Sequence, residues 1–568
     1  MLSVWVGRAG SGKSRRVLEA MEKNRGLRRQ VLLVPEHISH EAEVDLCRAL
    51  GPTASRDAEV LSFRSLSSRV LAETGGLAEF TLDNGGKLLT MRRVLQELAP
   101  ELRVFGRPSQ RASFLRQLTD LMEELYAYEI GPRDLYAHVE DLEGAMGDKL
   151  RDIALLYAAY DARLHNGDMD ARSRLQKLRE HLEHSDYLRG CDVYLDGFSY
   201  FNRQEESILE LVLRQAESVT VTLLGDRSSD RLFQNALRQR MRLERMARRV
   251  GQSTEVLWCE KQGSGPLDHL ERHFFGRETA YEGQAEGIRL YQAATAFTEV
   301  EWVSQQLRQL AAEGYRWRDM GVCARNMEVY GPLLESVFRR DGIPAYISRR
   351  SDLLEKPPIT MLLGALDAVT GGFDREDVFR CLKTGLGGIS PDECDILENY
   401  VIVWDIRGGM WLREGDWTAS PDGYGREMTE TAAARLRQVN GVRRRVRLLL
   451  EPLYQGMKTA SSARSKAECL YTFLQEAGVP QVLEETAGKL LAENQPQLAE
   501  EYVQLWEIFC GVLDQFVEIL GDTELTGEEF ARLLRLVLTQ YSVGTIPATL
   551  DQVKVSEITR NDLSLIHI

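Results

Sequence analysis

Short apolar segments alternate with amphipathic ones over the first 75 residues of the chain. Apolar runs cover Leu2 to Val6, Gln30 to Val34 and Glu59 to Phe63, and a stretch with helical spacing of apolar residues follows each of them. Buried strands give such short runs, whereas amphipathic helices place apolar residues three and four positions apart. Strands that alternate with helices predict a parallel α/β sheet.

The sheet pattern is interrupted at about 85–188, where only helical spacing is found. It resumes with two further strands, at Cys191 to Phe198 and at Val219 to Leu224. The polar, glycine-containing stretch 260–287 has the composition of a linker. We therefore assign residues 1–275 to a first α/β core that carries a helical insertion.

A second α/β unit is predicted after this linker. Its strands are expected at Ile288 to Ala293, Met320 to Ala324 and Ile343 to Ile347. Thr298 to Glu301 has the form of a capping box and predicts a helix start. Helical spacing then continues over about 351–542, and Thr545 to Val555 is expected to rejoin a sheet. Residues 276–568 thus form a second core, again with a helical insertion.

The junction of the first strand and the first helix carries the pattern G-x-x-x-x-G-K-S. Its residues are Gly7, Arg8, Ala9, Gly10, Ser11, Gly12, Lys13 and Ser14. Glycines let backbone N–H groups approach phosphate oxygens, the helix start attracts anions, and the lysine reaches the outer phosphates. The motif predicts a nucleotide-phosphate site, with ATP and Mg²⁺ as the expected ligands. Phosphate binding alone does not establish hydrolysis.

An aspartate ends the fourth predicted strand. In P-loop enzymes a carboxylate at this place holds Mg²⁺ opposite the hydroxyl of the loop serine. We therefore expect Ser14 and Asp196 to ligate the Mg²⁺ that accompanies the nucleotide.

Composition and charge change this picture only in part. The 568 residues are 43% hydrophobic and 28% charged, with no apolar run long enough for a bilayer, so we expect a cytoplasmic protein without membrane contact. The eight cysteines lack C-x-x-C spacing, which favours reduced thiols over metal ligands.

The formal net charge of the chain is −15, which excludes a uniformly basic nucleic-acid binder but not a local basic channel. The arginine-rich stretch 238–249 is expected to be a helix, and either a solvated face or a nucleic-acid contact explains it.

The order of elements resembles superfamily 1A helicases of the UvrD/RecB kind, which have two RecA-like cores interrupted by helices. It is most similar to the AddB family, in its Firmicute form. The resemblance rests on the glycine loop and on several segments without generic motif meaning: Leu33 to Glu36, Leu61 to Phe63, Asp196 to Phe198, Val378 to Leu386, Leu397 to Tyr400, Ile406 to Gly408 and Leu550 to Val553.

This resemblance implies a role in DNA repair. AddAB-type complexes open double-stranded DNA ends with ATP, degrade the strands and respond to a recombination hotspot. The expected partners are an AddA subunit, in a heterodimer, together with double-stranded DNA ends and single-stranded DNA. Phe63 and Arg325 are the positions at which single-stranded DNA contacts are expected.

Two features set limits on the implied activity. Active helicases of this superfamily have Asp-Glu where this chain has Asp196-Gly197, and the missing glutamate would position the attacking water. General-base catalysis contributes roughly 10²–10⁴-fold, so a helicase-like DNA-binding scaffold that does not hydrolyse nucleotide is the alternative. An unrelated P-loop enzyme, such as a small-molecule kinase, is disfavoured by the second α/β unit.

The last six residues, 563–568, read Leu-Ser-Leu-Ile-His-Ile and resemble a translated sequencing adapter. AddB proteins are about twice as long as this chain. The resemblance places the nuclease residues and the ligands of a 4Fe–4S cluster in the missing C-terminal half. The chain alone is therefore expected to lack nuclease activity.

Overall fold

A computed structural model of the chain describes residues 1–51, 53–75, 82–106, 112–139, 142–166, 174–227, 231–261, 263–275, 279–347, 351–493, 495–543 and 551–558. Within these ranges the protein is mixed α/β, with two parallel sheets and a large helical region. The α/β class with helical insertions, predicted from the sequence, is confirmed. The segment 563–568 lies outside the described residues.

Six parallel strands form the first sheet, in the spatial order β3-β2-β4-β5-β1-β6. Their bounds are β1 Leu2–Gly7, β2 Gln30–Leu33, β3 Ala58–Leu61, β4 Asp192–Leu195, β5 Ser218–Leu224 and β6 Thr254–Cys259. Because the strands are parallel, the residues that follow β1, β4, β5 and β6 all lie at one edge of the sheet. This edge brings the glycine loop together with Asp196.

Helices cover both faces of this sheet. The first eleven helices are α1 Lys13–Lys23, α2 Ser39–Leu50, α3 Phe63–Thr74, α4 Asn84–Leu98, α5 Ala112–Ala127, α6 Pro132–Val139, α7 Gly144–Asn166, α8 Arg174–Leu182, α9 Arg203–Gln215, α10 Gln234–Arg249 and α11 Pro266–His273. Helices α1 and α2 pack on one face, whereas α3, α8, α9 and α10 pack on the other. Val31 and Leu33 point to the second face and Leu32 to the first, as the period of two in a strand requires.

The second sheet has three parallel strands, in the order β7-β11-β8. Its elements are β7 Gly321–Ala324, β8 Ala345–Ile347 and β11 Val553–Glu557, with helices α12 Ala296–Ala312 and α13 Met327–Asp341 packed beside them. The return to a sheet, predicted at Thr545 to Val555, is confirmed for its last residues by β11, and residues 544–550 lie outside the described ranges. A small antiparallel ribbon joins β9 Ser351–Asp352 to β10 Ser542–Val543.

The two helical insertions share one hydrophobic core. Helices α4, α5 and α7 pack with the second set, which is α14 Pro357–Thr370, α15 Arg375–Leu382, α16 Pro391–Val403, α17 Glu430–Thr459, α18 Ala463–Glu476, α19 Val479–Ala492, α20 Pro496–Gln515 and α21 Gly527–Leu538. The described residues of this core lie between Leu82 and Leu164 and between Leu353 and Leu538. Segments far apart in sequence therefore form a single helical body.

The contact between the two insertions is close at α4. A Cβ on Gly85 would lie 2.6 Å from the Tyr541 hydroxyl and 2.9 Å from a methyl of Val537, so only glycine fits there. The Tyr541 hydroxyl donates to Asp83 Oδ2 at 2.6 Å. Arg93 donates to the carbonyl oxygen of Ile519, which adds a second polar link.

The strand predicted at Ile288 to Ala293 is wrong. These residues form no strand, and the side chain of Leu290 is fully exposed. The ring of Tyr291 instead stacks on Trp302 of α12, with centroids 4.6 Å apart and planes at 5°. The apolar residues of this run thus contact a helix or solvent rather than a neighbouring strand.

Three further boundaries differ from the sequence prediction. Thr295, not Thr298, caps α12, because its side chain accepts a hydrogen bond from the N–H of Thr298 at 3.2 Å. The stretch 260–287 is not only a linker, since it contains α11. Strand β6 was not predicted, because its exposed edge position removes the continuous apolar run of a central strand.

Among the described residues, no helix is both long enough and apolar enough to cross a membrane.

Candidate functional site

The glycine loop connects the end of β1 to the start of α1. A Cβ on Gly7 would lie 2.3 Å from Ser11 Oγ and 2.6 Å from the carbonyl oxygen of Cys259, so this position needs glycine for close approach. Gly12 is the N-cap of α1 with φ of 81°, a left-handed conformation that glycine adopts without strain. No side chain caps the helix, so its first N–H groups are available to an anion.

The Lys13 ammonium lies inside the loop. It donates to the carbonyl oxygens of Gly7 at 2.7 Å and Arg8 at 2.8 Å, and more weakly to Ser11 Oγ at 3.4 Å. Burial lowers the pKa of Lys13 below its ordinary value, while the nearby carboxylate of Asp196 acts in the opposite direction. Half-buried Ser14 follows it in the first turn of α1.

Asp196 directly follows β4, as the sequence predicts. Its backbone N–H donates to the carbonyl oxygen of Leu33 at 3.0 Å, and its Oδ1 accepts from the Thr222 hydroxyl of β5. These contacts fix the carboxylate at the edge of the sheet, on the side of Lys13. Its second oxygen and the Ser14 hydroxyl are hard ligands of the kind that Mg²⁺ prefers.

The site suits a metal that arrives with its nucleotide. The described residues contain no group of three or more His, Cys, Asp or Glu side chains that could hold a metal ion. Mg²⁺ is usually bound through one or two protein oxygens plus phosphates and water, so this donor set fits it.

Arg8 and Ala9 join the glycine loop to α11. Arg8 Nε donates to Asp226 Oδ2 at 2.6 Å, and its Nη1 donates to the backbone carbonyl oxygen of Glu271 at 3.3 Å. Ala9 lines a large cavity beside α11. The segment after β6 therefore contacts the glycine loop, and sequence reasoning missed this because β6 and α11 had not been predicted.

Lys261 is the main residue that sequence reasoning missed. Its side chain lies over the loop, with Cε 3.4 Å and Nζ 3.6 Å from the Cβ position of Gly10. An ion pair with Asp268 of α11, at 3.1 Å, holds it there. The available signal was a lysine two residues after the short apolar run Val256 to Cys259, and this signal is weak when the run is not assigned to a strand.

The structure offers no obvious replacement for the missing glutamate. Gly197 follows Asp196 with φ of 81°. Two glutamates follow at the start of α9, and of these Glu206 is buried and accepts a hydrogen bond from Arg242 at 3.0 Å. Glu205 accepts from the N–H of Asn202 in the capping box of α9, so its carboxylate is occupied by the helix start.

The two residues predicted to contact DNA lie in different environments. Phe63 is the first residue of α3, is 6% exposed, and packs edge-on against Phe198 at 5.5 Å. A ring this buried has no free face on which a base could stack. Arg325 is exposed immediately after β7, with no ion pair among the described residues.

Known proteins share sequence similarity with this chain over nearly its whole length. The family model described as ADDB, N-terminal, matches residues 4–271. A relative from Desulforudis audaxviator (strain MP104C), named as the B subunit of an ATP-dependent helicase/deoxyribonuclease, is 34% identical over 98% of this chain and 50% of its own length. Relatives of the same name from Pelotomaculum thermopropionicum and Clostridium botulinum (strain Hall) are 33% and 30% identical, with the same coverage.

The chain spans about half the length of the curated relatives it matches. The similarity extends over both sheets and the helical body. The chain belongs to the AddB family, whose members are named as the B subunit of an ATP-dependent helicase/deoxyribonuclease.

Proposed function

We propose that this chain is part of the B subunit of an ATP-dependent helicase–nuclease, which processes double-stranded DNA ends for recombinational repair. The names of its relatives support this assignment. The expected partner is an AddA subunit, and the expected substrates are DNA ends and single-stranded DNA. We infer from the family resemblance that a 4Fe–4S cluster and the nuclease residues would lie in the part of the relatives that this chain does not span.

Within that complex, we propose that the loop from Gly7 to Ser14 binds the phosphates of ATP. The observation that carries this proposal is the position of the Lys13 ammonium, held within the loop at the uncapped start of α1. Ser14 and Asp196 would hold Mg²⁺, which neutralises phosphate charge when bound. Lys261 would add a second ammonium above Gly10.

A second candidate is a scaffold that binds nucleotide without hydrolysing it. The Asp196-Gly197 pair favours it, because Gly197 has no side chain that could activate a water. The scaffold would still bind single-stranded DNA, and Arg325 at the open end of β7 is available for a phosphate contact.

Nucleotide binding and turnover by the purified chain, with and without single-stranded DNA, test both candidates. Lys13→Ala is expected to weaken ATP binding roughly 10- to 100-fold, since a charged hydrogen bond contributes about 1.5–3 kcal/mol. Lys23→Ala, on the exposed last turn of the same helix, is the matched control and should bind ATP normally.

The outcomes separate the candidates. Binding without turnover supports the scaffold, whereas DNA-stimulated turnover that disappears with Lys13 supports a motor. Equal ATP affinity in Lys13→Ala and the unmodified chain would refute a phosphate site at this loop.

A further inference from the structure

A cavity of about 1840 Å³ lies between α10 and α11, beside the glycine loop. Ala9 and Lys261 line it where it meets the loop, the two helices supply two of its walls, and Ser199 to Arg203 contribute to a third. We propose that this α10–α11 groove binds an amphipathic helix of an acidic partner protein. The proposal does not depend on nucleotide binding at the loop.

Helix α11 supplies the apolar wall. Leu267, Leu270 and Phe274 are three and four residues apart, so their side chains lie on one face. They are 42%, 41% and 66% exposed, and no residue of α11 is buried. Covering apolar surface is favourable by about 25 cal/mol per Å², so this stripe gains stability when a partner covers it.

Helix α10 supplies the basic wall. Arg238, Arg242, Arg245 and Arg249 recur every three to four residues and all line the cavity. Among the described residues Arg238 and Arg245 have no ion pair, and both are exposed. Arg242 pairs with Glu206 at 3.0 Å yet keeps half of its side chain in solvent. The uncompensated positive charge on this wall selects an acidic partner.

The helical spacing of the apolar side chains on α11 favours a protein helix as the occupant. Leu267 and Leu270 fit the apolar side of such a helix, and the exposed rings of Tyr200 and Phe274, which also line the cavity, can pack against it. The 16 residues of α10 span about 24 Å, which matches a partner helix of four to five turns.

Fluorescence anisotropy with a labelled 20-residue peptide tests the groove in the full chain. The peptide carries leucine at helical spacing and glutamate elsewhere. The control is a scrambled peptide of the same composition. We expect saturable binding of the first and at least 10-fold weaker binding of the second. Arg238→Glu with Arg245→Glu should weaken binding of the acidic peptide at least 10-fold. The same variant should bind a lysine peptide, in which lysine replaces every glutamate.

Two further variants complete the design. Leu270→Ser with Phe274→Ser replaces exposed side chains, so the fold is kept. It should weaken binding of the acidic peptide to the unmodified chain and binding of the lysine peptide to the chain with Arg238→Glu and Arg245→Glu. Arg189→Glu with Leu448→Ser changes equally exposed residues outside the groove and should leave binding unchanged. Equal binding of the scrambled peptide overturns the proposal. The proposal is also overturned if a 20-nucleotide oligothymidylate binds and loses affinity with Arg238→Glu and Arg245→Glu, while the acidic peptide does not bind.

Discussion

At the scale of single residues, Gly197 explains why the carboxylate pair of active helicases is incomplete here. A residue at φ of 81° is strained unless it is glycine or, to a smaller extent, asparagine. The left-handed backbone after β4 therefore disfavours a glutamate at position 197. The sequence predicts the missing base, but only the backbone angle shows that restoring it has a conformational cost.

Gly197→Glu is expected to lower stability by roughly 1–2 kcal/mol, the cost of a left-handed conformation for an ordinary residue. Gly197→Asn should lower it less, because its short polar side chain tolerates this region. Chemical denaturation of both variants measures the difference. We also expect no nucleotide turnover from Gly197→Glu, and DNA-stimulated turnover in that variant would show that the missing carboxylate was the only defect.

Lys261 leads to a second prediction at the residue scale. Its ammonium lies above Gly10, so Lys261→Ala should weaken triphosphate binding by a factor of roughly 10, with a smaller effect on a diphosphate, which carries less charge. Titration of both nucleotides gives the comparison. Lys554→Ala removes an ammonium far along the chain, at the second sheet, and should leave both affinities unchanged. Loss equal for the two nucleotides would place Lys261 away from the outer phosphate.

At the scale of elements, most strands and helices of the first sheet follow from apolar spacing, because helices bury both faces of its central strands. The exceptions are informative. Strand β6 is an edge strand with exposed side chains, and the apolar residues of 288–293 pack on α12 instead of a sheet. The local sequence pattern does not determine the structure of either segment, because an apolar run forms a strand only where a neighbouring strand pairs with it. Lys261 and Glu271, which contact the glycine loop, were missed because neither β6 nor α11 was predicted.

The pair α12 and α13 gives a prediction for pH dependence. Hydrogen bonds from Arg340 and from Ser304 of α12 lower the pKa of Asp341 to about 2. A carboxylate with a lowered pKa in the folded state stabilises the fold above its unfolded pKa of roughly 4, and this contribution disappears as pH falls towards 2. Asp341→Asn should therefore lower Tm most above pH 4, and the difference from the unmodified chain should close below it.

Thermal unfolding between pH 2 and pH 7 measures this difference. Asp522→Asn, whose side chain is almost fully exposed, is the control and should follow the unmodified chain throughout. A constant difference between Asp341→Asn and the unmodified chain at all pH values would contradict a role for the ionised carboxylate.

At the scale of the whole molecule, the fusion of the two helical insertions is the feature that the sequence did not indicate. Each insertion was recognisable by its helical spacing. Periodicity shows which face of a helix is apolar but not which helix covers it, so the shared core of α4, α5 and α7 with the second set could not be foreseen. The narrow contact at Gly85 is equally invisible in one sequence.

Gly85→Leu is expected to destabilise this shared core by about 1–3 kcal/mol, because an added side chain collides with Tyr541 and Val537. Hydrogen exchange should rise together in α4, α5 and α7 and in α14 to α21, while amides of β1 to β5 change less. Gly488→Leu, in an open position of α19, is the control and should have little effect. Faster exchange confined to α4, α5 and α7 would show that the insertions fold separately.

The shared core also bears on how the chain is made. A ribosome that has finished Leu164 must add roughly 190 residues before Leu353 exists, which takes about 10–40 s at 5–20 residues per second. During that interval the apolar faces of α4, α5 and α7 have no lasting cover. Holding chaperones that shield nascent apolar surface are thus expected to matter more for the yield of this protein than for a chain whose units close in order of synthesis.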